Sequence, residues 1–286
     1  MSPPPKTITV FTRRAPGETE AALRRLVVLA GEAGITVRVP VDEVAKHDLS
    51  DLPGAELGAD PDGRTDLAVV MGGDGTILTA MRRYAGRDVP VFAINFGAIG
   101  FLSTVERDDL DDAINRALIG EFDVLRLPAL AVGTSSGEHL AVNDISFHRR
   151  QDLRVAELGY SVVDAELGEV RCDGLVVATP AGSTGYNLAN GGPVMAWGVQ
   201  GYVVSFIAPH TFTARALVVA PGDALTITNT SRDDDAEVHV DGRPACVLPA
   251  SESLTVEFGR SFSQLAQLPG ASFYHRLRER FGRLAR

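Results

Sequence analysis

The segment Asp66–Met71 (DLAVVM) is almost continuously apolar, and it runs straight into Gly72-Gly73-Asp74-Gly75-Thr76. A strand of that composition is covered on both faces, which is the environment of a parallel sheet flanked by helices. The pattern on either side agrees. Thr7–Thr12 (TITVFT) reads as a strand. Glu18–Ala33 places Ala22, Leu26, Leu29 and Ala30 on one helical face. Ile35–Val39 reads as a second strand, and Asp48–Arg64, rich in Asp, Gly and Pro, as a loop. Thr76–Tyr84 is predicted helical, and Val89–Ile94 (VPVFAI) is another buried strand. Asp108–Ile119 is a helix that starts with acids, as suits a helix N-terminus, and turns Leu110, Ala113, Ile114 and Ala117 inward. Strands alternating with helices imply a parallel α/β sheet.

From about Leu125 the rhythm changes. Strand-like stretches follow one another with turns between them: Ala129–Gly133, Val142–His148, Arg154–Val163, Gly174–Thr179, Tyr202–Ile207, Ala216–Val219, Ala224–Thr228, Glu237–Val240 and Leu254–Phe258. Turn signals such as Ser135-Ser136-Gly137 and Pro221-Gly222-Asp223 separate them. An all-β, sandwich-like region is expected. The boundary near Gly120–Leu127 is a change of pattern rather than a linker, giving an α/β domain over 1–125 and a β-rich domain over 126–259. Ser272–Arg286 reads as a basic helical tail.

Composition bounds the function. The chain has 286 residues, 45% of them hydrophobic and 22% charged, enough for a sizeable core. Its formal net charge of −10 argues against nucleic acid or an anionic membrane as the main partner, while leaving room for a local phosphate site. Two cysteines, Cys172 and Cys246, without metal-type spacing fit a reducing compartment. No signal-like h-region and no apolar run of membrane-spanning length occur, so a cytoplasmic location is expected.

The glycine-rich turn carries the first chemistry. In open α/β sheets, ligands bind at the carboxyl ends of strands. Adjacent glycines let backbone approach a phosphate, and the following helix aims its N–H groups at the anion. An acid inside such a turn must hold a cation or take a proton, so Asp74 is a metal ligand or a general base in phosphoryl transfer. The plainer alternative is a tight turn in which Asp74 caps the helix. Asn95-Phe96-Gly97-Ala98-Ile99-Gly100-Phe101-Leu102 repeats the logic after the next strand, on the same edge, with Phe101 readable as core.

A second constellation lies in the β region. Asp173–Asn187 is a strand entering a hydroxyl-rich loop, closed by Gly191-Gly192-Pro193. Tyr186 is suited to stacking on a base, and Thr184 and Asp173 to bonding an amine or ring nitrogen. The alternative is a loop that satisfies its own backbone. Asn143-Asp144 interrupts apolar positions and needs solvent or partners, a ribose diol being one and a bulge or sheet edge the alternative.

Together these segments resemble the NAD kinase family. Four ordered blocks carry the resemblance: Met71–Leu78 (MGGDGTIL), Ile94–Leu102 (INFGAIGFL), Val142–Arg149 (VNDISFHR) and Asp173–Pro193 (DGLVVATPAGSTGYNLANGGP). Ala208–Val219 and Val240–Ala245 add weaker agreement. The first block alone is also found in lipid kinases. The resemblance implies an N-terminal Rossmann-like parallel-sheet domain, a C-terminal β-sandwich-like domain and a tail, 260–286, that returns to the first. It implies transfer of the γ-phosphoryl group of ATP, or of inorganic polyphosphate, to the 2′-hydroxyl of the adenosine ribose of NAD, giving NADP, with Mg²⁺ accompanying the donor and no dedicated protein metal site. On that reading Asp74 is the general base, and Gly72, Gly73, Gly75 and Thr76 bind phosphate. Asp74, Gly75, Phe101, Asn143, Asp144, Asp173, Thr184, Gly185, Tyr186, Asn187, Leu188 and Ala189 line the NAD site. Arg154, Arg171 and Arg243 join them, from this or a neighbouring subunit of a homodimer or homotetramer.

Several positions depart from the family pattern. Ala181 stands where a hydroxyl is common, Gly185 where Ala is, Asp144 where Glu is, and Thr79 where Arg or His often sits near the phosphates; Arg82 and Arg83 are candidate substitutes for the last. Ala214-Arg215-Ala216 lacks a proline often found after the arginine. Asp74 is intact. Two readings compete: a lipid kinase sharing GGDGT, which needs an acyl pocket the sequence does not propose, and a nucleotide sensor without turnover, against which Asp74 argues.

Overall fold

The computed structural model describes residues 2–97, 100–150 and 155–282. The chain divides into two compact units, Met1–Arg126 with Ser263–Arg286, and Leu127–Phe262.

In the first unit the chain runs β1 (Thr7–Thr12), α1 (Glu20–Glu32), β2 (Thr36–Pro40), α2 (Val41–His47), β3 (Ala55–Ala59), β4 (Leu67–Gly72), α3 (Asp74–Arg83), β5 (Pro90–Asn95), β6 (Val105–Glu106) and α4 (Leu110–Ile119). The strand order is β3-β2-β1-β4-β5, with parallel pairing throughout. The far side of β5 pairs with Gln264 and Leu265 and then with β6. The apolar run before the glycine-rich turn forms β4, buried at every position. One sheet face packs Ile8, Val10, Val69, Met71 and Phe92 against Leu23, Leu26 and Ala30 of α1 and Ile114 and Ala117 of α4. At the opposite parity Phe11 meets the Tyr84 ring just beyond α3, centroids 6.0 Å apart. Strand order reverses between β1 and β4, so the loops after these strands flank the sheet's switch point, where open α/β sheets bind ligands.

Two expectations for this unit need correction. The stretch 48–64 is not all loop, because β3 forms within it at the sheet edge. Its sequence, AELGA, lacks β-branched residues and carries Gly58 at φ +71°, so pairing to β2 rather than propensity makes it a strand. The third helix starts at Asp74 rather than Thr76, which makes the acid of the glycine-rich turn its first helical residue.

The second unit contains most of β7 (Asp123–Thr134), β8 (Gly137–Ala141), β9 (Asp144–Arg149), β10 (Ala156–Val162), β11 (Ala165–Cys172), β12 (Gly174–Ala178), α5 (Tyr186–Ala189), β13 (Tyr202–Ile207), β14 (Leu217–Val219), β15 (Leu225–Asn229), β16 (Ala236–Val240), β17 (Arg243–Leu248) and most of β18 (Ser253–Gln267). One layer is β11-β10-β15-β18, antiparallel, with the β7–β8 hairpin joined to β18. The other is β14-β13-β12-β9-β16-β17, also antiparallel. Alternate residues of both layers, among them Leu158, Ile227 and Val256 from the first and Phe147, Leu175, Val204 and Val238 from the second, form one core. The sandwich-like, antiparallel arrangement is the expected one. Strands β8, β11 and β17 escape the sequence reading because most of their positions are exposed or half-exposed, leaving little apolar alternation. After β18 the chain returns to the first unit as α6 (Phe273–Phe281), within the predicted helical tail.

Candidate functional site

In the first unit, Asp74 follows an extended Gly73 that makes no side-chain cap. The Asp74 carboxylate is not used to cap its own helix. It accepts hydrogen bonds from the backbone N–H of Phe101 at 3.0 Å and of Leu102 at 3.2 Å. The loop after β5 thus reaches back to the turn after β4 and holds the acid in one orientation. Close approach explains the glycines. A Cβ on Gly100 would lie 2.1 Å from Asp74 Oδ1, and one on Gly72 would lie 2.7 Å from Thr76 Oγ1. A Cβ on Gly97 would sit 3.2 Å from the Gly73 Cα, so the two loops also touch backbone to backbone. Asn95 fixes the second loop, its Oδ1 accepting from Gly97 N–H at 2.9 Å and its Nδ2 donating to Glu106 at 2.8 Å. Gly75 is exposed at the helix start, where N-terminal N–H groups and the helix dipole favour anions. Ala98 and Ile99 lie outside the described residues.

Phe101 reaches this region through its backbone. Its ring is buried in a cluster with Phe273 and Phe281 of α6, centroids 6.1 and 5.8 Å away, so the core reading of its side chain is the one observed. Beside the cluster Arg276 donates to Ser103 Oγ at 3.2 Å and Gln267 Oε1 at 2.9 Å. Burial lowers its pKa, opposed by the negative charges of Glu106, Asp74 and Glu279. The tail therefore brings a half-buried cation into electrostatic reach of Asp74. Sequence reading missed this, because nothing along the chain separates Arg276 from the other tail arginines. Arg83, a candidate for the family's phosphate-side cation, pairs with Asp62 at 2.9 Å. Thr79 bonds back to the Gly75 carbonyl at 3.0 Å.

In the second unit, Asn143 and Asp144 stand at the start of β9. Their backbone N–H groups, with that of Val142, donate to the Asp241 carboxylate at 2.8, 3.1 and 3.0 Å respectively. Asn143 Oδ1 is buried without a hydrogen-bond partner. Asp144 is 7% exposed, and burial, reinforced by the charge of Asp241, pushes its carboxyl up to about 7. The loop after β12 packs on the same turn: a Cβ on Gly182 would fall 2.0 Å from the Asn143 carbonyl oxygen. Thr179 N–H donates to that oxygen at 2.9 Å, and Thr179 Oγ1 donates to Val142 O at 2.6 Å. Tyr186 projects from this loop, partly exposed, close enough to Asp144 and Asp173 for their charges to raise its pKa, after burial.

The other predicted positions separate. Thr184 Oγ1 lies 3.4 Å from the Ala181 carbonyl, and Gly185 and Ala189 are exposed. Asn187 is fully buried and its Nδ2 bonds Ser183 O and Pro193 O, so its side chain braces the loop. Asp173 pairs with Arg149 at 2.9 Å. Arg171 lies on β11, in the other layer, paired with Glu157 at 3.0 Å. Arg243 is exposed at the start of β17, and Arg154 lies outside the described residues. The structure adds residues that sequence reading missed. His148 stacks on Tyr186, centroids 5.8 Å apart and planes 16° from parallel, and meets His239 at 4.9 Å. Asp144, Ser146 and His148 alternate along β9, and Glu237, His239 and Asp241 alternate along and just beyond β16. That period of two places each trio on one sheet face and was the signal available in the sequence. Among the described residues, no group of three His, Cys, Asp or Glu side chains is gathered closely enough to hold a metal ion.

Comparison with known proteins accords with both halves. The ATP-NAD kinase N-terminal domain matches residues 37–122 and the ATP-NAD kinase C-terminal domain matches residues 142–268. An NAD kinase of Syntrophotalea carbinolica is 32% identical over 246 residues, covering 84% of this chain and 83% of that protein. One of Bifidobacterium longum is 34% identical over 280 residues, covering 94% and 82%. The crystal structure of yeast NADH kinase complexed with NADH shares the fold, with a TM-score of 0.86 at 22% identity over 99% of this chain and 90% of that one. An Archaeoglobus fulgidus NAD kinase in complex with ATP superposes with a TM-score of 0.72 at 24% identity, covering 96% and 97%. With family matches across both units and a glycine-lined acid in one of them, the chain belongs to the NAD kinase family.

Proposed function

We propose that this chain phosphorylates NAD, transferring the γ-phosphoryl group of ATP to the 2′-hydroxyl of the adenosine ribose to give NADP and ADP. The observation that carries the reading is the Asp74 carboxylate, pinned by two backbone N–H groups at the N-terminus of α3 and at the mouth of two glycine loops. A base there takes the ribose hydroxyl proton as the new O–P bond forms and the bond from Pγ to the ADP oxygen breaks. Gly72, Gly73, Gly75 and Thr76 present backbone to the phosphates. A divalent cation such as Mg²⁺, arriving with the triphosphate rather than held by a dedicated protein site, would supply charge neutralisation for the transferred group.

Within the second unit, several side chains are suited to a nucleoside. Asn143 offers an unpaired buried acceptor, and Asp144, holding its proton up to about pH 7, offers a donor to a ribose hydroxyl. Tyr186, backed by His148, offers a stacking face for adenine, with Asp173 and Thr184 at its margin. The backbone of 185–189, rather than the Asn187 amide, presents to the ligand. Arg154, Arg171 and Arg243 act on NAD bound by this or a neighbouring subunit of a homodimer or homotetramer. The free thiols Cys172 and Cys246 suit the reducing cytoplasm. A coupled assay of NADP formation over a matrix of donors (ATP, other triphosphates, polyphosphate) and acceptors (NAD, NADH) tests the reading. Turnover of NAD by wild type and its loss in Asp74→Asn support it; wild-type turnover in Asp74→Asn removes Asp74 as the base.

A further inference from the structure

Asp241 occupies the first position of the two-residue turn between β16 and β17, at φ +48°, followed by Gly242 at φ +72°. Two successive left-handed residues make the hairpin turn that Asn-Gly and Gly-Gly form as readily as Asp-Gly. The turn by itself therefore needs no carboxylate. Yet the Asp241 carboxylate accepts three consecutive backbone N–H groups from the connection between β8 and β9: Val142 at Oδ2, and Asn143 and Asp144 at Oδ1. The Asp241 N–H answers by donating to the Asp144 carbonyl at 2.8 Å. Successive N–H groups converging on one anion fix the backbone that bears them.

We infer that Asp241 is the positioning residue of the nucleotide-binding edge: by clamping the N–H groups of residues 142–144 it sets where the Asn143 and Asp144 side chains point. The inference rests on the reading above that NAD binds along that edge. The clamp also acts through charge. Asp241 adds to burial in keeping the Asp144 proton bound, while Tyr186 of α5 lies within electrostatic reach of Asp144. Ser146 and His148 of β9 and His239 of β16 share the sheet face. One residue thus sets the direction of its neighbour and adds to the burial that keeps it protonated.

Two substitutions keep the turn while altering the clamp. Asp241→Gly deletes it. Asp241→Asn leaves an oxygen for Asn143 and Asp144 but sets an amide N–H₂ against the Val142 N–H and removes the charge. Steady-state kinetics with NAD and ATP varied in turn, from pH 5.5 to 8.5, accompanied by thermal melts, provide the test. The KM for NAD is expected to rise at least about ten-fold in Asp241→Gly and less in Asp241→Asn, with the KM for ATP within about two-fold of wild type. The pH midpoint of the NAD KM should move down in both variants, because the charge that adds to burial in holding the Asp144 proton is gone. A turn role alone would lower the melting temperature without moving that midpoint. An unchanged NAD KM and midpoint in folded Asp241→Gly, or in Asp241→Asn should the glycine variant not fold, overturns the inference. Asn143→Ala and Asp144→Asn separate the two levels. If both leave the NAD KM unchanged, the placement of NAD on this edge fails and takes the clamp's role with it. If both raise it while neither Asp241 variant does, the placement stands and the clamp fails.

Discussion

Asp144 and Asp241 are tied by a reciprocal pair of hydrogen bonds, the Asp144 N–H to the Asp241 carboxylate at 3.1 Å and the Asp241 N–H to the Asp144 carbonyl at 2.8 Å. The backbone tie holds the two acids close at a site where Asp144 is almost fully buried. Burial first, and the Asp241 charge second, raise the Asp144 carboxyl to about 7. Unfolded, that carboxyl loses its proton near the ordinary value of 3.8. Between these values the unfolded chain binds fewer protons than the folded one, so stability falls as pH rises from about 4 to about 7, by about 1.4 kcal/mol per pH unit for this group. Chemical denaturation of wild type and Asp144→Asn checks this. The stability of the variant relative to wild type should climb across that window and level off above it.

Asp74→Asn should lower kcat for NADP formation by about 10²–10⁴-fold, the usual loss on removing a general base. NAD binding, measured by calorimetry, should change little. The amide also opposes N–H₂ to one of the two donors from Phe101 and Leu102, so part of the loss comes from a loosened loop.

Gly100→Ala tests whether loop position matters as much as the acid. The added methyl would overlap the Asp74 carboxylate at 2.1 Å, and the loop or the acid must move. Overpacking of this kind costs about 1–3 kcal/mol. A fall in kcat of at least about ten-fold, with the melting temperature of the β-rich unit unchanged, is the expected result.

Tyr186→Ala should raise the KM for NAD by about 5- to 150-fold, the equivalent of about 1–3 kcal/mol for one base–aromatic stack. Tyr186→Phe keeps the ring against His148 and should stay within about three-fold of wild type. Equal effects in the two variants would assign the contribution to the hydroxyl instead.

The two thiols should differ in reactivity. Cys172 is fully buried and its thiol is pushed up to about 12, chiefly by burial, whereas Cys246 is only partly buried. Alkylation followed by mass spectrometry should modify Cys246 alone in the native protein and both residues in denaturant.

Much of the site was legible because its residues are local in sequence. The turn Gly72–Thr76 carries its glycines and its acid within five positions, and strand β4 before it is an apolar run that only a covered parallel strand tolerates. Tyr186 was legible for a similar reason, as the one aromatic in a loop of small and hydroxyl-bearing residues. Asp241, His148, His239 and Arg276 were not singled out. Each acts on a partner distant in sequence: Asp241 on residues nearly a hundred positions earlier, Arg276 on Ser103. The family blocks point to Phe101 and Asn187 by position, and only packing shows that their side chains hold protein to protein.

The parallel α/β unit, the antiparallel strands after it and Asp74 as the acid in a glycine-rich turn were readable along the chain, since periodicity and glycine spacing are local consequences of backbone sterics; the ordered motif blocks carried the resemblance to the family. What that acid does with its lone pairs depends on contacts distant in sequence. The sequence allowed a helix cap. Packing instead brings the Phe101 and Leu102 N–H groups to the carboxylate, past a glycine with no room for a methyl, and hydrogen-bond geometry settles the acid's orientation where composition could not.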